Sequence, residues 1–206
     1  MRRAEVLAVL ADLRRDQPVI TGPGGASGEL WAQGHQAPTI YNMELGYAAP
    51  MCLGVALARP DCRVVAVEGD GSLLAGCPAL VTIARVAPPN LVVLAIDNGV
   101  YETVGVGTTT TGTAHGASLA ALARACGLPA RCVVEADDPA TLRAALTTAL
   151  TEPGPWLVVA VAQPATGDRT GPRLVPGLDV VETAIEFRRH LAEVTPVAGN
   201  GRRHGD

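Results

Sequence analysis

Hydrophobic positions at the start of the chain follow a helical spacing, and a short run of β-branched residues comes after them. Val6, Leu10 and Leu13 recur at intervals of three or four residues and predict a first helix, which Pro18 terminates. Residues 19–21 read Val-Ile-Thr and predict a strand that runs into a glycine-rich turn. The chain therefore begins with a helix, a strand and a loop.

The middle of the chain alternates strand-like and helix-like segments. Residues 64–67 and 91–96 are rich in branched apolar side chains and predict buried strands, and residues 80–86 between them predict a helix. A strand, a helix and a strand in succession favour a parallel pair with a right-handed crossover. Residues 45–58 are small or apolar, which predicts a helix packed closely against a neighbour or a cofactor.

The second half of the chain continues the same alternation. The predicted elements are a helix (119–126), a strand (132–135), a helix (139–150), a strand (156–161) and a last helix (180–191). Strands that alternate with helices in this way are typical of α/β folds. We therefore predict an α/β, doubly wound, mainly parallel sheet with helices on both faces.

Length and composition indicate one domain. The chain has 206 residues, of which 48% are hydrophobic, and this is enough for a single sizeable core. We expect the domain to occupy residues 1–195 and a disordered tail to occupy residues 196–206. Residues 108–113, a polar Thr/Gly run, predict a ligand-facing or mobile loop, and residues 165–176 predict a second long loop.

Charge and cysteine content narrow the class of protein. A net charge of −4 without a basic stripe makes nucleic acid an unexpected partner. The sequence has no uncharged apolar stretch of about 18 residues, so we expect no membrane span. Five cysteines without a Cys-x-x-Cys pair suit a reducing compartment, which predicts a cytoplasmic protein with structural, buried thiols.

Polar and glycine residues follow two successive predicted strands. Residues 68–72 read Glu-Gly-Asp-Gly-Ser, and residues 97–101 read Asp-Asn-Gly-Val-Tyr. Ligands of parallel sheets bind beyond the carboxyl ends of the strands. Asp70 and Asn98 offer the carboxylate and amide oxygens that Mg²⁺ or Ca²⁺ prefers, and glycines let the backbone approach a diphosphate. Either segment alone would be an ordinary turn, so the prediction depends on their pairing.

That pairing resembles a known cofactor motif. Gly-Asp-Gly-Ser after one strand and Asp-Asn-x-x-Tyr after the next, with Asn98 28 positions after Asp70, is similar to the thiamine diphosphate motif. Within that family the chain resembles the β subunit of sulfopyruvate decarboxylase and the equivalent half of phosphonopyruvate decarboxylase. The matching segments are residues 21–22, 27–30, 43–58, 69–74, 97–101 and 154–155.

The resemblance implies two cofactors, thiamine diphosphate and Mg²⁺, and a set of residues that bind them. The implied metal ligands are the side chains of Asp70 and Asn98 and the carbonyl of Val100. Leu45 matches the apolar residue that lies beneath the bent cofactor, although it could also be a core residue at a helix start. The implied cofactor-binding residues are Met43, Leu45, Gly69, Asp70, Gly71, Ser72, Asn98, Val100 and Tyr101, with the Met43 carbonyl on the aminopyrimidine and Gly71 and Ser72 on phosphate oxygens.

The resemblance also implies a partner chain and an activity. In the family a glutamate from another domain activates the pyrimidine, and Glu5 and Glu29 are poor candidates for that role. We therefore expect a hetero-oligomer, α2β2 or larger, with a pyrimidine-binding subunit that supplies the glutamate. The expected activity is decarboxylation of a small anionic 2-oxoacid, phosphonopyruvate or sulfopyruvate, to the aldehyde and carbon dioxide. The alternatives are a carboligase subunit like that of acetolactate synthase, and a non-catalytic cofactor-binding subunit.

Glu29 and His115 are the candidate catalytic residues of this chain. His115 could move protons or bind an anionic substrate, although a surface histidine at a helix start is the alternative. Arg169 and Arg173 could hold an anion or be solvated loop charges. The sequence departs from the family where relatives have an arginine at position 28, at Glu44, and at residues 105–107, so we expect substrate choice to depend on Gly28, Glu44 and the 108–113 loop.

Overall fold

A six-stranded parallel sheet organises the chain in the computed structural model, which describes residues 1–102, 109–164 and 177–193. The strands of the described residues are Val19–Thr21 (β1), Thr39–Ile40 (β2), Val64–Gly69 (β3), Leu91–Asp97 (β4), Val100–Tyr101 (β5), Thr109–Thr110 (β6), Val133–Ala136 (β7) and Trp156–Val161 (β8). The sheet order is β2-β1-β3-β4-β8-β7, and β5 and β6 form a separate antiparallel pair.

Helices connect the strands. Those of the described residues are Arg3–Leu13 (α1), Gly25–Ala32 (α2), Ala48–Ala58 (α3), Asp70–Ala75 (α4), Pro78–Val86 (α5), Leu119–Ala125 (α6), Pro139–Thr151 (α7) and Val180–Glu193 (α8). Short 3-10 helices occur at Thr113–His115 and Ala130–Cys132. The sheet extends from β1 to β2 on one side and to β3, β4, β8 and β7 on the other. This is the doubly wound arrangement.

The sheet is buried on both faces. Val65 and Val67 of β3 pack into one hydrophobic core with α1, α2 and α7. Val64 and Ala66, the alternate residues of the same strand, pack into a second core with α3, α5, α6 and α8. Burial on both faces explains why β3 and β4 are continuous apolar runs, and it confirms the predicted α/β fold with helices on both faces.

Most predicted elements are present, with ends that differ by a few residues. The predicted strand at 156–161 has the observed bounds, whereas the helix predicted at 45–58 begins only at Ala48. The sequence patterns did not predict α2, β2 and α4. Residues 22–24 of the predicted glycine-rich turn lie outside the regular elements, as expected, but Gly25 at its end already begins α2, where tertiary packing outweighs the low helix propensity of glycine.

Two further expectations are corrected. The described part of the 108–113 run, residues 109–113, is not simply a polar loop, because Thr109–Thr110 pairs with β5 and Thr111 is only 1% exposed. The five cysteines are free thiols, but only Cys52 and Cys132 are buried, and the other three are half-buried. The 165–176 loop and the 196–206 tail lie outside the described residues.

None of the helices in the described parts of the chain combines the length and the apolar character needed to cross a membrane.

Candidate functional site

A pocket opens at the carboxyl edge of the sheet, beyond the ends of β3 and β4. Parallel pairing of Glu68 with Ala95 and of Gly69 with Ile96 brings the two strand ends to the same level. The residues that line the pocket are Arg3, Pro23, Gly25, Ala26, Leu45, Gly69, Asp70, Gly71, Ser72, Ile96, Asn98, Val100, Tyr101 and Glu102. Eight of the nine predicted cofactor-binding residues therefore meet in one place.

Asp70 is a buried carboxylate at this edge, only 2% exposed. It lies at the first residue of α4, directly after β3 ends at Gly69. The hydroxyls of Thr111 and Thr113 both donate to its Oδ2, the latter at 2.9 Å. Burial raises the pKa of the Asp70 carboxyl, and the threonine hydrogen bonds oppose that rise. The Thr-rich segment thus holds a predicted metal ligand, a role that sequence reasoning did not assign to it.

Glu68 connects the end of β3, through hydrogen bonds, to the start of α3 and to α4. Its carboxylate is fully buried, accepts a hydrogen bond from the Ser72 hydroxyl at 2.5 Å and accepts another from the Ala49 amide at 2.9 Å. The Ser72 hydroxyl in turn accepts from the Gly46 amide at 2.9 Å. Burial raises the pKa of Glu68. The Ser72 hydroxyl is thus engaged on both sides, and the group that Ser72 can offer to a phosphate is its backbone amide in the first turn of α4.

The loop before α3 is held close to α4, and this positions Leu45. Gly46 has a φ of 82°, and a Cβ there would lie 2.9 Å from the Gly76 nitrogen, so only glycine fits. Leu45 next to it is 38% exposed and lines the pocket. An apolar side chain left partly exposed beside polar groups is suited to contact a bound ligand.

Asn98 is held in one orientation after β4. Its Nδ2 donates to Glu102 Oε1 at 2.8 Å, and its Oδ1 accepts from the Val100 amide at 3.2 Å. The preceding Asp97 accepts from the Gly99 amide at 3.2 Å, and its Oδ1 lies 2.7 Å from the Thr113 hydroxyl, whose single proton is shared between Asp97 and Asp70. Thr113 therefore links the turn after β4 to Asp70 at the end of β3.

An ion-pair cluster at the pocket wall was not anticipated from the sequence. Arg3 of α1 pairs with Glu29 of α2 at 2.5 Å and also with Glu102. A Cβ at position 25 would overlap the Arg3 guanidinium, so Gly25 leaves room for it. No local pattern signals this cluster, because Arg3 and Glu102 are 99 positions apart.

Several predicted residues do not line the pocket. Glu29 binds Arg3 behind the wall, and His115 is exposed at the end of a 3-10 helix, where Nε2 lies 2.8 Å from the Thr110 hydroxyl. Met43 is half-buried against the core, and its amide donates to the Thr21 carbonyl at 2.9 Å. Glu44 is exposed. The 105–107 segment and the two loop arginines, Arg169 and Arg173, lie outside the described residues.

The residues present fit a hard cation with a diphosphate. Within residues 1–102, 109–164 and 177–193, no group of three His, Cys, Asp or Glu side chains could enclose a metal. A metal here would take the Asp70 carboxylate, the Asn98 amide oxygen and the Val100 carbonyl, all oxygen ligands, and complete its shell with ligand oxygens. The Ser72 amide, in the first turn of α4, has no backbone acceptor within the helix, whereas the Gly71 amide hydrogen-bonds the Asp70 carboxylate.

Comparison with known proteins points to the same chemistry. Residues 30–160 match the family model described as thiamine pyrophosphate enzyme, C-terminal TPP binding domain. The chain is 39% identical to the phosphonopyruvate decarboxylase of Streptomyces viridochromogenes over 96% of its own length and 47% of the relative. It is 28% identical to sulfopyruvate decarboxylase subunit beta of Methanococcus maripaludis over 91% of its own length and 95% of that subunit.

The fold is also found in a solved structure. The thiamine diphosphate-dependent 4-hydroxybenzoylformate decarboxylase of Rhodococcus jostii RHA1 superposes with a TM-score of 0.68 at 22% identity, covering 81% of this chain and 33% of that one. The chain spans about half the length of the two phosphonopyruvate decarboxylases that it matches, at 47% and 49%.

Proposed function

The chain belongs to the thiamine pyrophosphate enzymes with the C-terminal TPP-binding domain, and from this premise we propose that it is the cofactor-binding subunit of a heteromeric 2-oxoacid decarboxylase. The proposed reaction converts phosphonopyruvate or sulfopyruvate to the aldehyde and carbon dioxide. Relatives named for both decarboxylases support this substrate class.

One observation carries the proposal. The Asp70 carboxylate, the Asn98 amide and the glycine-rich backbone after β3 face the same pocket at the carboxyl edge of the sheet. Asp70, Asn98 and the Val100 carbonyl would hold Mg²⁺, and the amides of Gly71 and Ser72 would hold diphosphate oxygens. Leu45, half-exposed at the pocket wall, would support the cofactor from below.

When bound, thiamine diphosphate supplies an electron sink for the electrons freed as carboxylate leaves a 2-oxoacid. The residues of this chain bind and orient the group that does this. Thr111 and Thr113 hold the Asp70 carboxylate by hydrogen bonds, and the ring of Tyr101 covers Gly71. Binding energy from the diphosphate end can thereby position the reactive ring.

We also propose that a second subunit, carrying a pyrimidine-binding domain, supplies the activating glutamate. The support is the sulfopyruvate decarboxylase subunit beta, which matches over 95% of its length and is named as one subunit of its enzyme. Neither Glu29, which is bound to Arg3, nor the exposed Glu44 lines the pocket. His115 remains a candidate for proton movement only if the assembled enzyme brings it to the substrate.

The cofactor claim is tested by calorimetry. Thiamine diphosphate should bind the wild-type chain in the presence of Mg²⁺, and Asp70→Ala should abolish the binding because the metal loses its carboxylate ligand. Asp137→Ala, at an exposed carboxylate, is the matched control and should bind normally. Binding that survives in Asp70→Ala would contradict the assigned site.

The activity claim is tested with the candidate partner chain. The mixture with thiamine diphosphate and Mg²⁺ should release carbon dioxide from phosphonopyruvate or sulfopyruvate. A carbon–carbon bonded product instead of the aldehyde would establish a carboligase like acetolactate synthase. Tight cofactor binding with no turnover of any 2-oxoacid by the complete complex would establish a non-catalytic subunit.

A further inference from the structure

We propose that Glu102 is a positioning residue for the metal ligand Asn98, and that Arg3 holds Glu102 in place. This inference rests on the proposed function, because it concerns how the chain prepares its metal site. The observation is a continuous chain of contacts that runs from Glu29 through Arg3 and Glu102 to Asn98.

The Asn98 side chain ends in two chemically different atoms, Oδ1 and Nδ2. An amide can present either oxygen or nitrogen toward a metal, and only the oxygen can bind Mg²⁺. An ionised carboxylate only accepts hydrogen bonds, so the Asn98 nitrogen must face Glu102, where Nδ2 lies 2.8 Å from Oε1. Glu102 on the nitrogen side and the Val100 amide on the oxygen side, 3.2 Å from Oδ1, therefore fix the orientation of the amide, and Oδ1 keeps a second lone pair for the cation.

Glu102 is itself held in place from the other side. Its other oxygen, Oε2, accepts from Arg3 Nη1. Both oxygens are engaged, one with Asn98 and one with Arg3, so the carboxylate is placed to orient a ligand and not to be one. The Glu102 side chain is 24% exposed, and a charge-assisted hydrogen bond in such a setting is stronger than one in open solvent.

The Arg3 side chain is only 13% exposed and is itself anchored. Its second terminal nitrogen, Nη2, donates to Glu29 Oε1 at 2.5 Å, which anchors the guanidinium to α2. Gly25 lacks the Cβ that would overlap this guanidinium. Both terminal nitrogens of Arg3 already donate to carboxylates. We therefore assign Arg3 the role of orienting Glu102, and not that of binding the anionic group of a substrate.

The test measures metal binding and not turnover. We would titrate Mn²⁺ into the full-length chain with saturating thiamine diphosphate and follow free Mn²⁺ by electron paramagnetic resonance. Glu102→Ala should weaken Mn²⁺ binding about 10- to 100-fold, the usual effect of losing a partner of a metal ligand. Glu102→Gln should weaken Mn²⁺ binding by a smaller factor, because the amide oxygen of the new side chain can still accept from Asn98. Glu135→Ala, at an exposed strand residue, is the control and should bind normally.

A double-mutant cycle shows whether Glu102 acts through Asn98. In an Asn98→Ala background, Glu102→Ala should cause no further loss, since the residue that it orients is absent. Arg3→Lys should weaken Mn²⁺ binding by a smaller factor, because one ammonium cannot bridge two carboxylates in the same planar way. Arg2→Lys, in an exposed ion pair at the N-cap of the same helix, is its control.

The outcomes separate this inference from the proposed function. Wild-type affinity in folded Glu102→Ala, or an equal loss in the Asn98→Ala background, would overturn the positioning role while leaving the cofactor site intact. A wild-type chain that binds neither Mn²⁺ nor thiamine diphosphate would overturn both claims. If Glu102→Ala does not fold by circular dichroism, Glu102→Gln and Arg3→Lys decide the question.

Discussion

The ring of Tyr101 lies directly against the α-carbon of Gly71, so that a Cβ at position 71 would overlap three ring atoms. This contact joins the glycine-rich start of α4 to β5, and both segments line the pocket. Gly69, two residues earlier, has open space where its Cβ would be. Only Gly71 is therefore required for lack of space, and substitution of Gly69 serves as its control.

Gly71→Ala should lower the unfolding free energy by about 1–3 kcal/mol, since the new methyl group forces the Tyr101 ring to move. Gly69→Ala should cost much less, because its backbone, with a φ of −78°, accepts alanine. Urea denaturation measures both. In a Tyr101→Ala background the penalty of Gly71→Ala should shrink, and a penalty that persists unchanged would contradict the assigned contact.

The Thr-rich segment should stabilise the chain through Asp70. Thr111→Val keeps the branched shape but removes a buried hydroxyl that donates to the Asp70 carboxylate. We expect the unfolding free energy to fall by about 1.5–3 kcal/mol, the contribution of a hydrogen bond to a charged group. Thr109→Val, at an exposed position of β6, should change it by less than about 0.5 kcal/mol. Equal effects at the two positions would count against a specific bond.

Stability of the metal-free chain should fall as the pH rises above the acid range, in part because of Glu68. Burial raises the pKa of Glu68 above its ordinary value of 4.5, so the folded state holds the proton more tightly than the unfolded state. Its stabilising contribution is complete below about pH 4.5 and is lost as the pH rises through the folded-state pKa.

Glu68→Gln should therefore flatten the decline of unfolding free energy with pH, measured by urea denaturation from acid to neutral pH. Some decline of the unfolding free energy with pH should remain in Glu68→Gln, because burial also raises the pKa of Asp70. Glu135→Gln, at an exposed carboxyl on β7, should keep the wild-type profile. A profile of Glu68→Gln that matches the wild type would show that Glu68 does not titrate in this way.

Leu45 should matter for the cofactor and little for the fold. Leu45 and Leu57 are both partly exposed, at 38% and 54%, but only Leu45 lines the pocket. Truncation of either to alanine should change the unfolding free energy by no more than about 1 kcal/mol. Only Leu45→Ala should weaken thiamine diphosphate binding, roughly ten- to a hundredfold, as expected when a leucine contact is lost. Calorimetry on the two variants decides this, and equal affinities would remove Leu45 from the site.

The sequence predicted the main elements of the fold because their signals are local. The β-branched runs of β3, β4 and β8 and the apolar spacing of the helices can be recognised without knowing which elements pack against them. The elements that it missed have weak local signals. Helix α2 begins with glycine and serine and is held by Arg3, and β2 has only two residues, so each depends on its neighbours.

For the site, the sequence by itself determined the two strand-end segments, because parallel strands must present Asp70 and Asn98 at the same edge of the sheet. Only the tertiary structure decided what holds these side chains. Thr111 comes to Asp70 from 41 positions away, and Arg3 comes to Glu102 from 99 positions away. Such contacts depend on how distant elements pack, and no spacing or propensity along the chain encodes that packing locally.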